Sequence, residues 1–134
     1  MIGDRIIIGE NTFDVLVAVS EEEQIRGLMY REAPVPNMVF PFSQAKVTKF
    51  WMLNTLAPLD IIFCNAGRVI GSYFGVPLSK RLVGPDVPTD LVVELPAGHV
   101  DRYKIAVGSK VRLSYSSTTL AKWYSNNSLL KTGT

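Results

Sequence analysis

The sequence predicts a single, mainly β domain, an antiparallel barrel or sandwich with one short α-helix. Three observations predict it: short apolar runs of roughly four to eight residues, turn signals rich in Gly, Asn and Pro between them, and one segment with helical periodicity. The 134 residues are 47% hydrophobic and 19% charged, which is a globular composition in a chain long enough to bury a core. We expect residues 1–115 to form the domain and residues 116–134 to form a polar C-terminal tail. Three apolar residues could dock that tail: Leu120, Trp123 and Tyr124.

The predicted strands are apolar runs bounded by turn residues. The first two form a hairpin around Gly9-Glu10-Asn11, and Asn65-Ala66-Gly67 makes a second tight turn. Pro41 places its strand at an edge or a bulge, because proline cannot donate to a sheet ladder. The Gly- and Pro-rich segment 75–88 is predicted to be a long loop. In chain order the predicted strands are Arg5–Ile8, Thr12–Val19, Asn37–Phe42, Val47–Met52, Leu59–Phe63, Arg68–Phe74, Asp90–Leu95 and Lys110–Tyr115.

One helix is predicted, from about Glu21 to Tyr30. Ser20 is a good N-cap residue, and Glu23 three residues later completes a capping box. Acidic residues in the first turn suit the positive end of the helix dipole. Pro34 and Pro36 keep the chain from continuing as a helix. We expect this helix to pack across an opening of the β domain.

The stretch Phe50–Phe63 concentrates aromatic, amide, hydroxyl and carboxylate groups around a predicted turn. Asp60 and Glu94 are two carboxylates inside apolar strands, where a carboxylate needs partners to be tolerated. Arg26 in the predicted helix is a cation that could reach the same place. We expect these groups to converge on one ligand-binding site. Its candidate residues are Arg26, Trp51, Asn54, Thr55, Asp60 and Glu94.

The residue types leave the role of each group open. Asp60 and Glu94 are the candidate catalytic pair, because two carboxylates can act as general acid and base. Alternatively Asp60 is structural and accepts hydrogen bonds from the Asn54-Thr55 turn or from Arg26. Arg26 either holds an anionic ligand group or forms an ion pair with one of the two carboxylates. Large apolar side chains could line a pocket or belong to the core: Trp51, Met52, Met29, Met38 and Phe40.

Three sequence blocks resemble one known family. The blocks are FWMLNTLAPLDIIF at residues 50–63, EEEQIRGLMYRE at 21–32 and VVELPAGHVDRYKIAVGSKV at 92–111. Taken in their order along the chain, they resemble the family called "domain of unknown function 192", over roughly Phe13 to Leu113. The resemblance implies a compact β-rich domain, and it implies no activity. Relatives often carry an export signal or a lipoprotein anchor, which the start of this chain does not resemble.

The metal-binding and nucleophilic residue types are few. Cys64 is the single cysteine, so we expect no internal disulfide and no cysteine-built metal site. It lies in an apolar run, where a cysteine is usually buried and inert. His99 is the single histidine, and we expect it in a surface turn. The sequence therefore predicts no metal site and no cofactor.

Charge and hydropathy limit the expected partners. Lys and Arg are scattered and the net charge is only +2, so we expect no nucleic-acid partner. No apolar run approaches the roughly 20 residues that span a bilayer, so we expect a cytoplasmic protein unless an export leader has been removed. Oligomerisation through edge strands or the tail stays open.

The function hypotheses come from three classes. A small non-enzymatic binding or accessory module is favoured, with a polar cleft beside an apolar pocket for a small polar ligand. The second hypothesis is a small hydrolase-like enzyme acting on a sugar or a similar polar substrate. The third is a structural or assembly protein.

Overall fold

The computed structural model describes residues 3–132 and is mainly β, as predicted. The strands are β1 (Arg5–Ile8), β2 (Asn11–Asp14), β3 (Leu16–Val17), β4 (Met38–Val47), β5 (Leu59–Asn65), β6 (Arg68–Gly75), β7 (Pro88–Pro96) and β8 (Val111–Ser114). The helices are α1 (Glu21–Arg26), α2 (His99–Arg102) and α3 (Ser117–Thr132). The side chains of residues 128–132 are not described. The first two residues of the predicted domain and the last two of the predicted tail, 1–2 and 133–134, lie outside the described part.

The strands form two sheets rather than a closed barrel within the described residues. The smaller sheet has the order β2-β1-β8, and the five-stranded sheet has the order β3-β4-β7-β5-β6. All pairs are antiparallel except β3 with β4, which is parallel. The prediction of a mainly β chain is confirmed. The prediction of one helix is wrong, since residues 3–132 form three.

Strand β7 lies at the centre of the five-stranded sheet, and its residues alternate between two cores. Leu91, Val93 and Leu95 face a core that also contains Ile6 and Ile8 of the smaller sheet. Val92 faces the other core, which Phe40, Ile61 and Phe63 also share. Cys64 belongs to the first core and is 1% exposed, as predicted, and burial raises the pKa of its thiol to about 12.

Helix α1 begins as predicted and ends earlier. The Ser20 hydroxyl accepts a hydrogen bond from the Glu23 amide at 3.1 Å, and the Glu23 carboxylate accepts one from the Ser20 amide at 3.0 Å, which completes the capping box. The helix was predicted to reach Tyr30. It ends at Arg26 because Gly27 has φ 50° and ψ −127°, a conformation open essentially to glycine alone.

The segment after α1 also differs from the prediction. A turn at residues 44–46 was predicted to separate two strands, whereas β4 runs unbroken through it to Val47. The pairing of β4 with β7 shifts in register between Pro41 and Lys46, because proline has no N–H for the ladder. Residues 48–58 are largely irregular, with one bridge between Phe50 and Val83.

The C-terminal tail is helical and contacts the domain. The Ser116 hydroxyl accepts a hydrogen bond from the Thr119 amide at 3.1 Å and so caps α3. Asp4 holds this cap in place, because it accepts hydrogen bonds from the Ser116 amide and the Thr119 hydroxyl, both at 2.7 Å. Lys122 forms an ion pair with Glu23 at 2.6 Å. Of the described helices, none has the length and apolar character needed to cross a membrane.

Candidate functional site

A cavity of about 230 Å³ lies between α1 with its following turn and one face of the five-stranded sheet. We call it the Glu94 cavity. The irregular segment after β4 forms its remaining wall. The residues that line the Glu94 cavity are Gln24, Ile25, Arg26, Gly27, Leu28, Met29, Phe40, Lys49, Phe50, Trp51, Thr55 and Glu94.

Glu94 places a carboxyl group in this cavity without a protein partner. It lies on β7 opposite Met38 of β4 and Ile61 of β5, so it faces the apolar core that contains both. Glu94 is only 4% exposed, and its carboxyl makes no hydrogen bond or ion pair with any described residue. Burial raises the pKa of Glu94 to about 8, because the charged form loses its hydration without gaining donors. The carboxyl is therefore mostly protonated at neutral pH.

Gly27 brings the end of α1 against the carboxyl. A Cβ built on Gly27 would lie 3.4 Å from the Phe40 ring and 3.8 Å from Glu94 Oε1. The backbone at φ 50° and ψ −127° also excludes side chains. A glycine here therefore allows the helix to end directly over the cavity.

The wall formed by residues 50–55 is irregular yet firmly held. Phe50 and Val83 exchange two backbone hydrogen bonds, at 2.9 and 2.8 Å. Met52 N donates to Ser79 O, and Leu78 N donates to Thr55 O, both at 2.9 Å. These bonds join the wall to the loop 76–84. On its other side, the Tyr30 amide donates to Asn54 O and the Asn54 side-chain amide donates to the Tyr30 hydroxyl, both at 2.9 Å.

Aromatic rings supply the apolar part of the cavity. Phe50 packs edge-on against Phe40 with ring centroids 5.0 Å apart, and against Phe63 at 5.8 Å. Trp51 is 44% exposed, so its ring is accessible to solvent beside the cavity. Edge-on rings fix one another in orientation, and the walls are therefore held by packing as well as by hydrogen bonds.

Most polar side chains of the lining already have partners. The Gln24 amide donates to Ala18 O at 3.0 Å and to Pro41 O at 2.9 Å. The Thr55 hydroxyl donates to Leu53 O at 3.1 Å. Lys49 donates to the backbone carbonyls of Gly84 and Pro85. It also forms an ion pair with Asp86 at 2.7 Å. Arg26 is exposed, and its guanidinium has no hydrogen bond or ion pair with the described side chains.

Asp60 lies on the opposite face of the sheet from Glu94. Asp60 is paired with Leu95 and Glu94 with Ile61, and directly opposed residues share a face while neighbours alternate. Asp60 Oδ2 accepts hydrogen bonds from the amides of Gly98 at 3.0 Å and Val100 at 2.8 Å. The prediction that Asp60 accepts from Arg26 or the Asn54-Thr55 turn is wrong. Asp60 instead fixes the backbone at the start of α2.

The structure thus brings together four of the six predicted ligand-binding residues: Arg26, Trp51, Thr55 and Glu94 line one cavity. Asn54 is outside the lining and is occupied with Tyr30. Asp60 is on the other side of the sheet, so it does not form an acid–base pair with Glu94.

Six lining residues were not predicted as site residues: Gln24, Ile25, Gly27, Leu28, Lys49 and Phe50. Of these, Phe50 carried a local signal, because it begins the unusual stretch Phe50–Phe63. His99 lies at the start of α2 beside the Phe13 and Tyr103 rings. No group of three or more potential metal-ligating side chains occurs within the described residues.

The chain is similar to one protein family and to solved structures. The profile of the family "domain of unknown function 192", described as "Uncharacterized ACR", matches residues 5–113. A search of curated proteins finds no match.

Two solved structures are similar. A protein of unknown function from Novosphingobium aromaticivorans is 30% identical, with a TM-score of 0.76 over 81% of this chain and 83% of its own. A Sinorhizobium meliloti protein described as a "putative transcription regulator" is 31% identical, with a TM-score of 0.73 over 81% of this chain and 90% of its own. The matched region of the family includes every strand from β1 to β7 and ends inside β8, before α3.

The burial of Glu94 predicts a pH-dependent stability. In the unfolded chain the carboxyl ionises near 4.5 and in the folded protein near 8, so the unfolded state binds fewer protons between these values. The free energy of unfolding should therefore fall as the pH rises, by about 3 kcal/mol from pH 5 to pH 8. Glu94→Gln should remove this fall, and the exposed control Glu10→Gln should retain it. Urea denaturation at the two pH values measures both, and the same fall in Glu94→Gln as in wild type would contradict the assignment.

The position of Asp60 predicts a structural role. Asp60→Asn keeps the shape but weakens two charged hydrogen bonds to the backbone, so it should lower the free energy of unfolding by about 1–3 kcal/mol. Asp14→Asn is the matched control, because the Asp14 carboxylate forms an exposed ion pair with Arg5, and its loss should cost less than about 1 kcal/mol. Thermal or chemical denaturation compares the two. An Asp60→Asn protein as stable as wild type would show that these bonds contribute little.

Proposed function

We propose a function for this chain, which belongs to the family "domain of unknown function 192": it is a small non-enzymatic module that binds a small polar molecule in the Glu94 cavity. The ligand's polar group would meet Glu94, and its apolar part would lie against Phe50 and Trp51. Arg26 would contact the ligand at the exposed side of the cavity. The family itself has no assigned function.

The unpartnered carboxyl of Glu94 is the observation that carries this proposal. A carboxyl that loses most of its hydration and has no protein donor destabilises the folded state in its charged form. An apolar side chain such as leucine would avoid this cost at the same position. Perturbed carboxyls in cavities concentrate at functional sites, where stability is given up for activity. Glu94 is such a carboxyl, and the cavity it faces is lined by both apolar and cationic residues.

The alternative functions have less support. A hydrolase that uses Asp60 with Glu94 needs both carboxylates at one bond of the substrate, and these two lie on opposite faces of the sheet. Assembly through edge strands or the tail has no comparable observation behind it. Nucleic acid has no place in the proposal either, because the net charge of +2 gives no strong electrostatic footprint.

The proposal is tested by finding which residues respond to ligands. A fragment library with neutral, cationic and anionic members is screened against the isotopically labelled protein by amide NMR. Compounds that bind should shift the amides of residues 24–29, 49–55 and 94 and spare those of α3. Trp51→Ala should weaken such compounds at least tenfold, since it removes the accessible ring. The matched control is Tyr124→Ala, which removes another exposed aromatic ring, on α3, and should leave binding unchanged.

Two results would overturn the proposal. One is a screen in which no compound shifts the cavity amides. The other is binding at the cavity that Trp51→Ala and Tyr124→Ala leave equally intact.

A further inference from the structure

The hydrogen-bonding groups of the Glu94 cavity specify what a ligand must bring. Gln24, Thr55 and Lys49 donate to backbone carbonyls or to Asp86, so none of these donors is left over for Glu94. Among the described lining residues, the uncommitted side chains with charge are the Glu94 carboxyl and the Arg26 guanidinium. A ligand that completes the cavity therefore supplies a donor to the first and an acceptor to the second.

We propose that the cavity takes a small zwitterion, a short-chain amino acid whose ammonium group binds Glu94 and whose carboxylate binds Arg26. This deepens the proposed function and rests on it. An ammonium group brings three donors and a positive charge to a carboxylate that the protein leaves unpaired. Phe40, Phe50 and Trp51 add ring surfaces to which a cation is attracted. A carboxylate suits the two parallel donors of a guanidinium.

The other charges around the cavity agree with a zwitterion rather than a simple cation. Arg26 on α1 would repel an amine that carried no anionic group. Lys49 after β4 is already neutralised by its ion pair with Asp86. Strand β4 contributes the uncharged Phe40, and strand β7 contributes Glu94 itself. The wall contributes three further uncharged residues: Phe50, Trp51 and Thr55. The cavity thus pairs one acidic group with one uncompensated cation.

Size narrows the ligand further. The cavity holds about 230 Å³, below the roughly 300–1,000 Å³ of pockets for drug-sized molecules. A short aliphatic amino acid fits this limit, whereas a nucleotide or a disaccharide exceeds it.

Binding of an ammonium group should release a proton. Burial raises the pKa of Glu94 to about 8, so the carboxyl carries a proton at pH 7. The protonated carboxyl and the ammonium ligand combine to give a carboxylate–ammonium pair and one proton in solution. Affinity should therefore rise nearly tenfold per pH unit between pH 6 and pH 7 and level off above pH 8. A neutral ligand that accepts a hydrogen bond from the protonated carboxyl would show the opposite trend.

The test uses unbranched amino acids with terminal amines, from glycine to 6-aminohexanoate, because their chain length samples the separation of the two charged residues. Butylamine, butyrate and xylitol are the comparison compounds. Titration calorimetry at pH 6, 7 and 8, in two buffers with different ionisation enthalpies, gives the affinity and the number of protons released. One chain length should bind best, at least tenfold more tightly than butylamine or butyrate, with close to one proton released at pH 7.

Variants assign the two ends of the ligand. Glu94→Gln keeps the shape of the side chain, and it should weaken the best amino acid at least tenfold and abolish the pH dependence. Arg26→Gln should weaken that amino acid at least tenfold and leave butylamine no weaker. Arg31→Gln is the matched control, since Arg31 is an exposed arginine shortly after α1 that does not line the cavity. It should change neither.

The failures of the two proposals are distinguishable. If xylitol or other uncharged compounds bind at the cavity with an affinity that falls as the pH rises, the proposal of a zwitterionic ligand is overturned and the proposal of a binding module stands. The same conclusion follows if fragments bind there and none of the amino acids does. If no compound of any class shifts the cavity amides, both proposals are overturned.

Discussion

The central position of β7 is the constraint on which the site depends. Both edges of this strand are hydrogen-bonded, to β4 on one side and β5 on the other, so its residues can only alternate between the two faces of the sheet. Leu95 and Val93 fill one core, and Glu94 between them must therefore face the other. If the register of β7 shifted by one residue, Val93 and Leu95 would face the second core and Glu94 would face the first. The fold thus holds a carboxyl in apolar surroundings by the same register that stabilises the sheet.

The rest of the cavity is arranged around this carboxyl without pairing it. The capping box sets the start of α1, and Gly27 sets its end against Phe40 and Glu94. The hydrogen bonds between Tyr30 and Asn54 join the turn after α1 to the wall of the cavity. The donors of Gln24, Thr55 and Lys49 hold the walls in place. A rigid cavity that contains a carboxyl group without a partner lowers the stability of the ligand-free protein. A ligand that supplied the missing partner would recover this free energy on binding.

Local signals in the sequence predicted the local structure well. Ser20 and Glu23 form the expected capping box, and Ala66 and Gly67 have the positive φ angles of the expected hairpin turn. The cluster of Arg26, Trp51, Thr55 and Glu94 also followed from residue type, because each is unusual in its surroundings. What the sequence could not give was the pairing of distant strands. The register of β5 against β7 decides that Asp60 and Glu94 face apart, and the amides that bind Asp60 come from about 40 residues away in the chain. Composition also gave little indication of α3, because its Ser, Thr and Asn residues are weak helix formers and its capping residue Ser116 is held by Asp4 from the other end of the chain.

The account is tested most directly by the ionisation of Glu94 itself. Carbon-13 NMR of the glutamate side-chain carboxyls follows each group across the pH range, and the Glu94→Gln spectrum assigns the resonance. The account predicts that the Glu94 carboxyl titrates near pH 8, because it is buried and without donors. A resonance that titrates near the ordinary value of 4.5 would mean that water or a cation already reaches the group, and the unmatched carboxyl of the Glu94 cavity would not exist.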